Sequence, residues 1–347
     1  MSDFHTLTIS EVKQETPNSV SISFNVPDAL VETFRFTAGQ YLTLKHRLND
    51  KEERRAYSLC SSPSEAILKV GVKKVPDGRF SVFANTKLKA GDTLEVMPPQ
   101  GTFVLEPQPD VNYAAFAAGS GITPILAIVK AAMEVGGDGK FLLVYGNQSM
   151  RETMFASELL QLQKEHPTRL FLEFIYSRTQ EEEALFGRIE RSTVNFLLKN
   201  KFEDTTFNDY FLCGPEPMID LVSATLKEQG VNEKQIHFEL FTTAEEGLLV
   251  ESHDGNTEIT VTVDDETDSF VMSQKNSVLE AVLEQGLDAP YSCQGGICST
   301  CIARIKEGKA EMRKNQILTD GEIAEGLILT CQAHPTTAKL VIDYDDV

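Results

Sequence analysis

The sequence predicts a multidomain protein: an antiparallel β-barrel, then an α/β unit with an open parallel sheet, then a small α+β unit in which a mixed sheet wraps one helix. Three observations carry this reading. Residues 4–105 run as short alternating segments broken by Pro, Gly, Asn and Asp, and alternation at period two marks strands with one buried face. After EPQPD, apolar strand-like runs alternate with amphipathic helical stretches, the pattern of a parallel sheet covered on both faces. From residue 257 onward the chain encloses a tight group of cysteines.

The elements follow in order. The barrel segments are LTISEV, SVSISFNV, QYLTLK, AYSLC, ILKVGV and TLEVMP. The parallel unit opens with YAAFAA, passes through GSG into the helical TPILAIVKAAME, and continues with FLLVYGN, a helix near 152–165, LFLEFIYSR, a helix near 189–199, DYFLCGP, a helix near 216–229, and IHFELF. A polar stretch, TTAEEGLLVESHDGN, reads as a linker. EITVTV, DSFVMS and a helix near 277–285 then lead to the cysteine loop. The boundaries so drawn are 1–107, 108–241, a linker at 242–256, and 257–347.

A length of 347 residues with 41% hydrophobic content suits two or three ordinary cores. No apolar run approaches the roughly twenty residues of a membrane span, and MSDFHTLTISEVKQ lacks a basic start with an apolar middle. A soluble, cytoplasmic protein without a membrane partner is expected. The net charge of −20 argues against nucleic acid as a partner. It also suits docking onto a basic protein surface.

Cys293, Cys298, Cys301 and Cys331 stand in YSCQGGICSTC and LTCQAH with the spacing C-x4-C-x2-C…C. Four thiolates complete the tetrahedra of two irons, and this spacing is the one plant-type [2Fe-2S] ferredoxins use, whose β-grasp fold suits the final unit. Gly295 and Gly296 give the loop room to turn amides toward sulfur. Two other readings compete: a zinc site, which usually shows paired C-x2-C knuckles, and a disulfide framework, which needs an oxidising compartment. Only Cys60 and Cys213 remain besides these four.

In the barrel, Arg55, Tyr57 and Ser58 form R-x-Y-S, and Gly78, Phe80 and Ser81 follow in DGRFSVF. Residues i and i+2 of a strand share a face, so a guanidinium and an aromatic ring would enter one cleft, as a dinucleotide flavin requires. The plain alternative places Tyr57 in the core and Arg55 at the surface. In the parallel unit, Gly119, Ser120 and Gly121 end a strand and open a helix, where free amides can meet a pyrophosphate. Cys213, Gly214 and Pro215 end a later strand at the carboxyl edge of the same sheet, where open α/β folds bind ligands.

RAYS, GRFS and GSGITP, in this order, resemble the ferredoxin reductase superfamily of flavoproteins, here with a C-terminal plant-type [2Fe-2S] ferredoxin domain. The resemblance implies FAD with Arg55 on its pyrophosphate, Tyr57 on its ring and Ser58 near the hydride-accepting nitrogen. Lys73, Lys74 and the GRFS turn resemble the FAD-type rather than the FMN-type members. The resemblance also implies Cys213 beside the nicotinamide, Thr123 near the flavin and Phe241 over its other face; Phe241 could equally be a core aromatic, and the plain alternative for Cys213 is a small buried residue. Ser177 and Arg178, with Arg188 and Arg151 nearby, imply NADPH, with NADH the alternative, because a 2′-phosphate calls for arginine. The module order resembles reductase components of multicomponent oxygenases, which implies an NAD(P)H:acceptor oxidoreductase serving the oxygenase component of a multisubunit monooxygenase. A non-catalytic redox sensor is the reading from another class.

Overall fold

The computed structural model describes residues 4–48, 51–65, 67–241 and 255–347. These form two compact units. One comprises residues 5–53 and 57–241; the other comprises 255–347 with Phe4 and the short piece Arg54–Ala56. The expected linker lies, for residues 242–254, outside the described residues. No described helix is long and apolar enough to cross a membrane.

Six strands build the first sheet, all within the larger unit except Arg54–Ala56 of β4: β1 (His5–Thr16), β2 (Ser19–Asn25), β3 (Tyr41–Leu48), β4 (Lys51–Ser58), β5 (Leu68–Lys73) and β6 (Thr93–Val96). Their order is β4-β3-β6-β1-β2-β5, and an antiparallel bridge between Leu59 and Val70 joins the two ends. The sheet is thereby closed into a barrel around Leu7, Ile22, Leu42, Leu44, Val70 and Val96. The GRFS segment, read from the sequence as a turn, instead begins helix α1 (Arg79–Thr86), which lies across the barrel with Phe80 and Ala84 buried.

The second sheet of this unit is parallel. Its elements are β7 (Tyr113–Ala118), α2 (Ile122–Glu134), β8 (Phe141–Asn147), α3 (Ala156–Glu165), β9 (Leu170–Tyr176), β10 (Leu185–Phe186), α4 (Arg191–Phe196), β11 (Asp209–Gly214), α5 (Glu216–Glu228) and β12 (Ile236–Leu240), with strand order β10-β9-β8-β7-β11-β12. The reversal of strand order on either side of β7 opens a crevice at the carboxyl ends of β7 and β11, where such folds place ligands. Every residue of α2 except Glu134 is buried, so this helix reads as apolar on all sides.

Inside that apolar surrounding sits one cation. Lys130 of α2 is 7% exposed, with its ammonium 2.7 Å from Glu65 of the barrel and 2.5 Å from Glu158 of α3. The Ser62 hydroxyl donates to Glu134 over 2.7 Å beside it. A buried ammonium is tolerated only with such partners, so the network ties the barrel to α2 and α3.

The smaller unit contains β13 (Asn256–Val263), β14 (Glu266–Ser273), α6 (Val278–Glu284), β15 (Ile302–Glu307), β16 (Ala310–Met312), α7 (Asp320–Ala324), β17 (Leu327–Leu329), β18 (Ala333–Pro335) and β19 (Lys339–Asp343). The five-stranded sheet runs β14-β13-β19-β15-β17, with β13 and β19 parallel and the other pairs antiparallel. Asp264 and Asp265, at φ 52° and 62°, make the two-residue turn between β13 and β14. The Asp345 carboxylate accepts from both of their amides. Val278, Leu279 and Val282 of α6 pack on the sheet, giving the mixed sheet around one principal helix that the sequence predicts.

Candidate functional site

Strand β4 carries Arg55, Tyr57 and Ser58, the first two half-buried and the last buried. The Tyr57 ring rests on Phe80 at 5.5 Å between centroids. Phe80 is 1% exposed, so it backs the tyrosine rather than offering a surface of its own. The Ser81 hydroxyl accepts from the Val75 amide and donates to the Gly78 carbonyl, both at 3.2 Å. It therefore shapes the approach to α1, leaving the amides of the helix's first turn for a ligand.

Lys73 and Lys74 line a cavity of about 410 Å³ together with Asn18, Asp77, Gln148 and Glu152. Lys73 also reaches the glycine turn, since a Cβ built on Gly119 would lie 3.5 Å from its ammonium nitrogen. The two glycines of that turn answer different demands. Gly119 sits at φ 57°, a left-handed angle that suits glycine. Gly121 approaches strand β11 so closely that a Cβ would stand 2.1 Å from the Cys213 carbonyl oxygen. Thr123, in the first turn of α2, is 1% exposed and donates to the Ser120 carbonyl over 3.1 Å.

Across from this turn, Cys213 of β11 is fully buried, and it pairs in register with Glu239 of β12. Burial pushes its thiol well up, and the Glu239 charge adds to that, so the sulfur stays protonated. The Ser58 hydroxyl donates to the Glu239 carboxylate over 3.1 Å. A hydroxyl, a carboxylate and a thiol thus converge from a barrel strand and two sheet strands. Phe241 follows β12 and is 36% exposed. Gly214 and Pro215 lead directly into α5.

Sequence reasoning finds Ser58 and Cys213 but misses Glu239. The available signal is a charged residue inside the apolar strand IHFEL. It misses Asn147, at the end of β8, as well; both polar atoms of its amide are buried without a hydrogen-bond partner, as is the Thr179 hydroxyl. At the same edge the amides of Ser177 and Arg178 donate to the carbonyls of Asn147 and Gln148. Ser177 is half-buried there, while Arg178, Arg188 and Arg151 are exposed.

In the smaller unit, Cys298, Cys301 and Cys331 are buried and Cys293 is nearly so. They associate two by two. Cys293 hydrogen-bonds with Cys298, which draws the Cys298 thiol down to about 6, and Cys301 hydrogen-bonds with Cys331. The amide of Gly295 points at the Cys293 sulfur over 3.3 Å. The positive angles in the loop fall on Gln294 and Gly296, at φ 54° and 71°, rather than on Gly295. Among the described residues no three His, Cys, Asp or Glu side chains gather as one metal ion would require. The pairing of the thiols two by two fits a binuclear cluster, in which each iron takes two protein thiolates.

Models of three protein families match the chain: the oxidoreductase FAD-binding domain over residues 6–105, the oxidoreductase NAD-binding domain over 116–224, and the 2Fe-2S iron-sulfur cluster binding domain over 261–336. A component of the 1,2-phenylacetyl-CoA epoxidase of Escherichia coli K12 is 39% identical over 99% of both chains. The ferredoxin reductase component of 3-ketosteroid-9-alpha-monooxygenase from Rhodococcus rhodochrous is 35% identical over 97% of this chain and 96% of that protein. Among solved structures, phthalate dioxygenase reductase shares the fold at a TM-score of 0.65, with 22% identity and 98% of each chain covered.

Proposed function

We propose, for a chain that belongs to the ferredoxin reductase superfamily of FAD- and [2Fe-2S]-dependent NAD(P)H oxidoreductases, that it is the reductase component of a multicomponent oxygenase, most specifically of a phenylacetyl-CoA 1,2-epoxidase in phenylacetate degradation. The observation that carries the reading is that one chain combines a site suited to two-electron hydride chemistry, the Ser58–Glu239 pair at Cys213, with four thiols arranged in pairs for a one-electron carrier. When bound, FAD supplies the conversion between a two-electron donor and one-electron steps, and the cluster carries those electrons singly.

The chain's own residues have distinct parts in this reading. Arg55 holds the flavin pyrophosphate, and Tyr57, backed by Phe80, presents its ring to the isoalloxazine. Ser81 and Gly78 set the first turn of α1 for phosphate, and Lys73 and Lys74 add positive charge. Gly119 and Gly121 form the turn that admits NADPH, Thr123 lies near the flavin, and Ser177, Arg178 and Arg188 stand at the 2′-phosphate end. Gly214 and Pro215 keep the end of β11 open to nicotinamide, Cys213 supplies an uncharged wall, and Phe241 shields the ring until nicotinamide enters. Ser58 is held by Glu239, so its hydroxyl is oriented before any ligand arrives. Cys293, Cys298, Cys301 and Cys331 ligate the cluster. In this reading the domains divide at residues 107, 241 and 256, and the small number of cysteines beyond the four ligands, Cys60 and Cys213 alone, favours the cytoplasm.

The test is reconstitution. Purified protein should reduce a dye with NADPH and, mixed with the epoxidase's di-iron oxygenase component, support epoxidation of phenylacetyl-CoA. The 3-ketosteroid relative favours one second reading, service to a steroid oxygenase. Success there with failure on phenylacetyl-CoA would replace the first.

A further inference from the structure

Tyr344 stands one residue past β19, whose Asp343 lies opposite Arg304 of β15, the strand that leaves Cys301. Its amide donates to the Thr262 carbonyl over 3.0 Å. The ring is 5% exposed and shares an apolar cluster with Cys301 and Cys331. Its hydroxyl oxygen is sheltered from solvent and has no hydrogen-bond partner of ordinary geometry among the described residues. The fully buried hydroxyl of Thr330, beside it, donates to the Cys301 carbonyl over 2.9 Å instead. A phenol with an ordinary pKa of about 10 keeps its proton at neutral pH.

A buried hydroxyl without a partner is uncommon and calls for an explanation. A cluster on four thiolates is negatively charged and gains a further unit on reduction. In an interior of low dielectric, a hydroxyl free to rotate turns its positive end toward that charge and favours the reduced form. We propose that Tyr344 raises the reduction potential of the cluster from the Cys301–Cys331 side, its otherwise unpartnered hydroxyl acting as a dipole on those two sulfurs. The inference rests on the four cysteines being the ligands.

The test is a redox titration of the full-length holoprotein, followed by the EPR signal of the reduced cluster. Tyr344→Phe removes a single oxygen and should shift the equilibrium about threefold to tenfold against reduction, where tenfold corresponds to 59 mV for one electron. Tyr344→Leu should shift it in the same direction, and the flavin potential in both variants should stay at the wild-type value. A loaded Tyr344→Phe protein with an unchanged cluster potential would overturn the proposal, as would an equal shift of the flavin. Loss of the cluster from both variants would overturn it too, by making the residue structural. Iron and sulfide analysis of the wild type tests the ligand assignment separately: zinc, or no inorganic sulfide, would remove that assignment itself.

Discussion

The Ser58 hydroxyl and the Glu239 carboxylate meet at 3.1 Å, although 181 residues separate them in the chain. The pair joins a barrel strand to the last strand of the parallel sheet, beside the buried Cys213. A serine so held has one preferred direction before nicotinamide arrives, and positioning of this kind acts on the rate rather than on the fold.

Glu239→Ala should slow flavin reduction by NADPH about a hundredfold, within the usual range for a positioned polar group, with little change in flavin content. Stopped-flow absorbance of the flavin measures it. Glu239→Gln, which still accepts a hydrogen bond, should recover a substantial part of the rate. An unchanged rate in both variants would leave the contact purely structural.

Arg178→Ala should raise KM for NADPH much more than for NADH. Loss of one charge-assisted contact with the 2′-phosphate corresponds to about 1.5 to 3 kcal/mol. Steady-state dye reduction with each nucleotide gives the comparison, and equal effects would show that this exposed arginine acts elsewhere.

Lys130→Met should lower stability by about 1 to 2 kcal/mol, because it leaves Glu65 and Glu158, 30% and 28% exposed, without their cation. The triple change Lys130→Met, Glu65→Gln and Glu158→Gln should regain much of the loss. Thermal unfolding of the flavin-loaded protein distinguishes the two, and a single variant as stable as the triple would mean that water reaches the carboxylates.

Gly121→Ala places a methyl 2.1 Å from the Cys213 carbonyl oxygen, which forces α2 and β11 apart. The cost should be about 3 kcal/mol, with dye reduction lost even where the protein folds. Gly119→Ala meets open space apart from the Lys73 ammonium and bears only the strain of its positive φ, so the milder outcome is expected there.

The features legible in the sequence are those fixed by local pattern. Alternation reveals the barrel strands, strand–helix alternation the parallel sheet, and cysteine spacing the cluster loop, because each depends on neighbours within about a dozen residues. The GRFS segment shows where local reading stops: a glycine followed by polar residues resembles a turn, but Phe80 and Ala84 bury against the barrel and draw the segment into a helix. Glu239 is illegible for another reason. Its partner lies on a barrel strand, and nothing near IHFEL reveals that a distant serine will face it. The Lys130 network is similar, since the carboxylates that justify a cation in an apolar helix come from two other elements.

The central position of β19 in the smaller unit governs when that unit can exist at all. Until residue 343 has been synthesised, β13 and β15 each lack a neighbour, and a bare strand edge between them invites pairing with the wrong chain. Three of the four cysteines leave the ribosome about forty residues earlier, in a segment with no completed sheet to hold it. A nascent chain stalled within the cysteine loop would therefore expose its thiols before the sheet that pairs them is complete.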